Sequence, residues 1–336
     1  MRESDTRRRI LIGVGDVNGI GSEIVLKCMK KEIYEKILPI LLGHVEHLNI
    51  TANMMNVSCS FKSIKDVRDA VGSCETIEVL EYGDFKRSEF EWGKVSKMAG
   101  LLALDQFRKA MELAQKGLID AFVYAPQNKT NMKLAGMKHE SDYTYMNELV
   151  SGNGINALLI GKHSIVTRVT MHVPLKEVAQ HITKENVLRT IEMSNEGLRR
   201  LGLNHPRIGV AALNPHMGEG GLCGQEEIES IIPAIEIAKQ KGINIVGLYP
   251  ADSLYQGFYQ NFPDGKLDMA VYMYHDIAGL TSKMLESGYE GGMFTLVAGL
   301  PVPVLTVGHG TAYQIAGKAR ANETSLMNAL LFVGNV

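Results

Sequence analysis

The class this chain predicts is an α/β fold built on a largely parallel sheet. Short β-type runs alternate with helix-type runs from end to end, with no composition break, internal repeat or low-complexity stretch. At 336 residues and 45% hydrophobic, the chain has enough apolar side chain for a sizeable core, and its length favours two lobes or one large unit.

The elements are legible in order. Apolar runs at Arg9 to Val14, Leu38 to Gly43, Thr76 to Glu81 and Ile119 to Tyr124 read as strands of the first half. Between them, Ile24 to Lys31 and Val95 to Lys116 read as helices. The longer helix carries Met98, Leu101, Leu102, Ala110, Leu113 and Ala114 on one apolar face. In the second half, strands at Ser164 to Met171, Arg207 to Leu213 and Asp268 to Tyr274 interleave with helices at Leu175 to His181, Glu185 to Leu201 and Gln225 to Lys241. Helices at Ala312 to Gly317 and Thr324 to Phe332 end the chain.

Charge and composition exclude several functions. A formal net charge of −2, from 35 basic and 37 acidic residues, gives no field to draw nucleic acid or an anionic membrane. No run approaches the roughly 20 apolar residues of a membrane span, and the N-terminus lacks a signal-peptide core, so a cytoplasmic protein is expected. Cys28, Cys59, Cys74 and Cys223 lack CxxC spacing and read as reduced thiols. Cys223 stands apart because it lies in a glycine-rich loop near His216.

Three histidines carry the chemistry. His172, His216 and His275 each follow one of the second-half strands, and strand ends are where α/β sheets build ligand sites. A single histidine there is more often a hydrogen-bonded structural residue; three in the same context point to one metal ion. Three neutral imidazoles leave a fourth position for water or substrate. They suit zinc first, with cobalt, nickel or copper next and manganese or magnesium as further candidates. Asp276 and Asp252 are candidates to orient an imidazole, Asp252 having a helix N-cap as its plainer reading. Lys283, eight residues past His275, and Lys129, at the end of a β-type run, are candidate charge clamps or proton carriers.

The glycine clusters are less decisive. Gly13-Val-Gly15-Asp16-Val-Asn18-Gly19 follows a strand and opens a helix, but glycine is missing at Asn18 and no acidic residue closes the second strand. A dinucleotide fingerprint therefore fails, and a tight turn presenting Asp16 to the lobe cleft fits better. Gly218-Glu219-Gly220-Gly221 suits a plain turn or an anion-binding loop equally. Gly308-His309-Gly310-Thr311-Ala312 leaves room for a flat ligand.

Taken as an ordered set, these motifs resemble the 4-hydroxythreonine-4-phosphate dehydrogenase family, the PdxA enzymes of vitamin B6 synthesis. The likeness rests on GDVNGIGSEIVLK at 15–27, APQNK at 125–129, HVPL at 172–175, NPHMGEGGLCGQEEI at 214–228, YPADSLYQ at 249–256, MYHDIAGLTSK at 273–283 and GHGTAYQIAGK at 308–318. It implies a two-lobe α/β/α fold like that of isocitrate and isopropylmalate dehydrogenases, with a non-Rossmann cofactor site. It implies a cofactor-side lobe at 1–135 and 296–336 and a metal, substrate and dimerisation lobe at 136–295. It further implies a homodimer with shared active sites, His172, His216 and His275 as the metal ligands, and a nicotinamide cofactor, NAD or NADP, on His309, Gly310, Thr311, Ala312 and Lys318. The implied chemistry is oxidation of a secondary alcohol to a β-keto acid that loses carbon dioxide, with Lys283, Asp252 and Asp276 in catalytic roles.

The resemblance is weakest in the substrate pocket. Ser141-Asp142-Tyr143-Thr144 stands where the family carries Gly-His-Thr-Glu, so Asp142 replaces an imidazole beside Tyr143. Thr295 and Val304 stand where the family binds substrate with Asn and Arg, and Gly308 replaces an Asp. Losing the Arg removes a bidentate phosphate contact. The expectation is a dehydrogenase for a small, phosphorylated four-carbon hydroxy acid, either 4-phosphohydroxythreonine or a threonate or erythronate phosphate. The substrate is held by Lys129, Asp142, Tyr143, Lys283 and Thr295. The alternatives are a metal-dependent lyase or hydrolase without nicotinamide, and a non-catalytic binding relative.

Overall fold

Residues 6–259, 265–286 and 292–335 are described by the computed structural model of the chain. It divides into two compact units: one runs to Ile155 and resumes at Leu300, and the other is Asn156–Gly299. The first unit begins with β1 (Arg8–Gly13), α1 (Gly21–Cys28), α2 (Lys31–Lys36), β2 (Ile37–Gly43), α3 (Val45–Met54), β3 (Phe61–Ile64) and β4 (Ile77–Glu81). It continues with α4 (Lys97–Gln115), β5 (Ala121–Tyr124), α5 (Lys129–Leu134) and α6 (Asp142–Leu149). The second unit holds β6 (Asn156–Ile160), β7 (Ile165–Arg168), α7 (Val178–His181), α8 (Lys184–Arg200), β8 (Ile208–Ala211), α9 (Ile232–Gln240), β9 (Ile245–Tyr249), β10 (Met269–Tyr272), α10 (His275–Leu285) and β11 (Phe294–Ala298). The chain then returns to the first unit with β12 (Val304–Val307) and α11 (Thr324–Asn335).

In the first unit the strand order is β3-β4-β2-β1-β5-β12, every neighbour parallel. A parallel sheet is covered by helices on both faces, so its strands read as unbroken apolar runs. All seven residues of β2 are buried, as that rule requires. α4 starts where Ser96 accepts a hydrogen bond from the Ala99 N–H at 3.1 Å. Its expected apolar face is buried except at Leu101, which is 42% exposed. Residues 136–155, expected in the second lobe, stay in the first unit because α6 packs on α4.

In the second unit the order is β11-β6-β7-β10-β8-β9. β11, β6 and β7 pair antiparallel, whereas β7, β10, β8 and β9 run parallel. Its core gathers Val166, Ala211, Leu254, Phe258, Leu267 and Tyr272. The three strands that precede the candidate histidines are thus immediate neighbours: β7 pairs with β10, and β10 with β8.

Three helix expectations are corrected. Leu175 to His181 is a 3₁₀ turn followed by the single turn of α7, after Pro174 has set the entry. Gln225 to Lys241 contains a π-turn at Glu227–Ile231 before α9. Ala312 to Gly317 forms turns, because Ala312 (φ 43°) and Gly317 (φ 75°) adopt left-handed backbone that ends any right-handed helix. Among the described residues no helix is long and apolar enough to cross a membrane.

One close approach controls where α5 lies. A Cβ on Gly100 of α4 would overlap the carbonyl group of Asn131 in α5. Gly100→Ala is therefore expected to lower unfolding free energy by about 1–3 kcal/mol, the usual cost of overpacking. Chemical denaturation checks this, and unchanged stability would mean that α4 and α5 are free to separate.

Candidate metal and substrate site

His172 and His275 lie side by side because the pairing of their strands continues past the strand ends. Val169 N–H donates to Tyr272 O at 2.9 Å and Thr170 N–H to Met273 O at 3.0 Å; Thr170 Oγ1 donates to the same Met273 oxygen. The two imidazoles end with ring centroids 5.5 Å apart and line a cavity of about 220 Å³ with Thr170, Met171, Tyr274 and Asp276. Both histidines are exposed at its mouth.

His275 is the first residue of α10, and its Nδ1 meets Asp276 Oδ1 at 2.9 Å. A carboxylate only accepts, so Nδ1 carries a proton, and in the neutral tautomer Nε2 is the nitrogen with the lone pair. His216 repeats the device: its Nδ1 meets Glu219 Oε1 at 2.8 Å. That contact holds the His216 pKa above its ordinary value, first through the hydrogen bond and then through the Glu219 charge, with Asp252 adding to the field. An imidazole with Nδ1–H on a carboxylate and Nε2 free is the usual form of a metal-binding histidine. The donor chemistry therefore fits a divalent cation.

The three rings do not gather within one chain. Among the described residues no group of three or more His, Cys, Asp or Glu side chains is arranged to hold a metal. The reason lies in the loop after β8. His216, Met217, Gly218, Glu219 and Gly220 all have positive φ, between 48° and 75°, and the left-handed turn directs His216 toward Glu219 and solvent. Left-handed backbone costs roughly 1–2 kcal/mol at each non-glycine residue, and such strain concentrates at functional loops. The loop is anchored by the buried Glu227, which accepts from the N–H groups of Leu213 (2.9 Å) and Asn214 (2.8 Å) and from Asn214 Nδ2 (2.9 Å).

The remaining candidates distribute as follows. Lys283 lies on α10 two turns beyond His275, exposed and without an ion-pair partner among the described residues. Asp252 is exposed; Ser253 flanks the following 3₁₀ turn, which has no side-chain cap, so the capping role expected as an alternative for Asp252 is absent. Thr295 is buried within β11, at 6% exposure. In the first unit, Lys129 opens α5 beneath the Asn128 side chain, which accepts from Asn131 N–H at 3.1 Å. Asp142 opens α6, half-buried beside Tyr143, and accepts from the Tyr124 hydroxyl at 2.7 Å. Burial pushes the Asp142 pKa up, opposed by the Tyr124 hydrogen bond and the Lys129 charge. Val304 is fully buried at the start of β12, which leaves no polar group at that position. Gly308 and His309 are exposed, with His309 Nδ1 3.1 Å from Gly310 O; Thr311 is buried, and Lys318 donates to Gln314 O at 2.7 Å. Cys223 is an exposed free thiol.

Two features take their form only in the tertiary structure. Glu219 stood in plain view three residues after His216, but the glycines around it suggested a turn, and only the left-handed backbone turns its side chain onto the imidazole. Asp16, expected at a cleft, is 1% exposed. It accepts from Asn18 N–H, Asn131 Nδ2 and Tyr313 Oη at 2.8, 2.7 and 2.8 Å, and its pKa is raised by burial against these three bonds. His47 exemplifies the structural histidine: it is fully buried between Ser22 and Val17 O, and burial lowers its pKa to about 3.

Known proteins extend these observations. A family model described as "Pyridoxal phosphate biosynthetic protein PdxA" matches residues 35–333. A relative from Oceanobacillus iheyensis, provisionally named D-threonate 4-phosphate dehydrogenase, is 36% identical over 335 residues, covering 96% of each chain. The solved 4-hydroxythreonine-4-phosphate dehydrogenase of Burkholderia phymatum is 33% identical, covers 96% of each chain and superposes with a TM-score of 0.85. That of Klebsiella pneumoniae is 28% identical with the same TM-score, over 97% of this chain and 98% of its own. Matched nearly end to end in both sequence and fold, the chain belongs to the PdxA family and shares its isopropylmalate-dehydrogenase-like α/β fold.

Proposed function

We propose that this protein is a metal- and nicotinamide-dependent dehydrogenase that oxidises the C3 hydroxyl of a phosphorylated four-carbon hydroxy acid, D-threonate 4-phosphate before 4-phosphohydroxythreonine, and releases carbon dioxide from the β-keto acid. The observation that carries it is the pairing of His172 and His275 beyond the ends of β7 and β10. The order of substrates follows the relative from Oceanobacillus iheyensis and the replacement of pocket imidazole, Asn and Arg by Asp142, Thr295 and Val304.

His172 and His275, with His216 of a second copy, would hold the cation. When bound, the cation supplies Lewis acidity to the substrate oxygen, and NAD or NADP supplies the hydride acceptor. The protein's share is orientation and charge. Asp276 and Glu219 hold Nδ1–H of their histidines, so Nε2 is available as a donor. The Lys283 ammonium, exposed on α10, serves the substrate as charge clamp and proton carrier, with Asp252 as the nearby acid group on the His216 side. Lys129 is the cation offered to the substrate phosphate, beside Asp142 and Tyr143, and Thr295 of β11 is a further substrate-binding residue. His309, Gly310, Thr311, Ala312 and Lys318 form the dinucleotide loop. In the net reaction the C3–H bond breaks with its electron pair going to nicotinamide and the hydroxyl proton to solvent. The C1–C2 bond then breaks, and C2 takes a proton.

A homodimer accompanies this reading. Leu175, Met217, Leu222, Leu280 and Met284 are 41–87% exposed and all lie in the second unit, near the histidine loops in sequence. Exposed large apolar residues concentrated on one region mark an association surface.

Three outcomes test these statements. Metal-loaded protein should reduce NAD or NADP with D-threonate 4-phosphate and less efficiently with 4-phosphohydroxythreonine, followed by absorbance at the reduced nicotinamide band. Reaction with 4-phosphohydroxythreonine alone reverses the substrate order, and no reduction across four-carbon hydroxy acids sinks the dehydrogenase. His216→Ala should abolish bound metal, and Glu219→Gln should weaken metal affinity roughly 10–100-fold, in calorimetric titration of zinc into folded protein. Full zinc binding by His216→Ala would reject the ligand assignment. Leu222→Asp with Met284→Asp should convert dimer to monomer in sedimentation; an unaltered dimer would place the interface elsewhere.

A further inference from the structure

The buried carboxylate of Asp16 has no role in the chemistry above, and its surroundings call for one. Among the described residues it forms no ion pair, so its charge is met only by neutral donors. An uncompensated buried carboxylate is costly, and replacing such groups by neutral ones is often neutral or stabilising. Each donor comes from a different segment. Asn18 N–H belongs to the loop between β1 and α1. Asn131 Nδ2 belongs to the first turn of α5, two residues past Lys129. Tyr313 Oη follows directly on the dinucleotide loop residues 309–312.

The rest of this hub is equally tight. Asn131 Nδ2 also lies 2.7 Å from Tyr313 Oη, and its Oδ1 accepts Ser96 N–H at 3.0 Å. On the loop side, Ile20 N–H donates to Thr311 O at 3.2 Å, and a Cβ on Gly19 would lie 2.9 Å from Thr311 Cβ. A Cβ on Gly93, which has φ 71°, would lie 2.7 Å from Tyr313 O. Backbone 311–313 is therefore clamped from both sides, while the Tyr313 hydroxyl is tethered to Asp16, Asn131 and Asn128. Only an anionic side chain accepts from Asn18 N–H with one oxygen and from Asn131 and Tyr313 with the other; an asparagine would turn an amide N–H₂ toward one of these donors.

We propose that Asp16 is a positioning residue that locks the dinucleotide loop, through Tyr313, to the Lys129 end of α5, through Asn131, so that cofactor and substrate bind cooperatively. The inference rests on the dehydrogenase reading above. Coupling of this kind is reciprocal: whichever ligand orders the hub first improves the site for the other.

Steady-state kinetics and binding on the full-length holoenzyme test it, with Trp92 as the binding probe. Trp92 is the only tryptophan, and its ring packs on Gly317 at the end of the cofactor loop, so its fluorescence reports nicotinamide binding without turnover. Tyr313→Phe keeps the ring and removes only the hydroxyl. It should raise KM for cofactor and for substrate each about fivefold to tenfold, the share of one charge-assisted hydrogen bond that reaches binding, with kcat changed less than about twofold. The factor by which substrate improves cofactor affinity should fall toward one. Asp16→Asn should do the same, and the double variant should be no worse than Asp16→Asn alone, because both changes cut one tether. A loss of thermal stability with both KM values and the coupling factor unchanged assigns Asp16 a purely structural role and overturns the proposal. If Asp16→Asn does not fold, Tyr313→Phe decides alone. A wild-type enzyme whose Trp92 signal responds to neither NAD nor NADP sinks the dehydrogenase reading and this inference with it, whereas a responsive wild type with an unaffected Tyr313→Phe variant overturns only the coupling.

Discussion

The parallel pairing of β7, β10 and β8 is the constraint from which the site follows. Neighbouring strands stand about 4.8 Å apart, and residues that leave a parallel sheet on the same edge leave it together. The β7–β10 ladder continues through Val169 and Thr170 to Tyr272 and Met273, so His172 and His275 emerge from a rigid double strand rather than from two independent loops. Their spacing is inherited from the sheet. His216 emerges from β8, one strand farther, through a left-handed loop tied down by Glu227, and its position depends on local backbone strain.

Electrostatics then specialises the positions that the sheet creates. Asp276 and Glu219 each set one histidine's tautomer from a nearby place in the chain, one residue and three residues downstream. Such local carboxylates leave Nε2 as the donor whether or not a third ring is present. The first unit uses carboxylates differently. Asp142 and Asp16 are held by hydroxyl and amide donors and turned inward, Asp142 to Tyr124 and Asp16 to Asn131 and Tyr313. Burial raises the pKa of both, opposed by those hydrogen bonds.

Much of this was legible in the residues. The order of strands and helices followed from apolar runs, and the long α4 from its 3.6-residue stripe, because burial of one face imposes that period. The histidines were legible because each closes a strand, and the match to the PdxA family runs through the same motifs. The short or irregular pieces were less so. The apolar pattern predicts no strand at β3, β6, β9, β11 or β12, and predicts helix where turns stand at 312–317 and 175–177. Four or five residues carry too little periodicity to separate strand from turn, and positive φ at Ala312 or His216 has no compositional mark.

The sequence by itself determined the fold class, the family and the identity of the candidate donors, since these depend on patterns that local propensity and apolar spacing write directly into the chain. Only the tertiary structure decided which donors meet. It paired His172 with His275 and turned His216 to Glu219, and it buried Asp16 beneath Tyr313, 297 positions away. The physical reason is that hydrogen-bond and ring contacts act over a few ångströms in space, whereas the residues that make them are brought together by strand order, which no local stretch of sequence encodes.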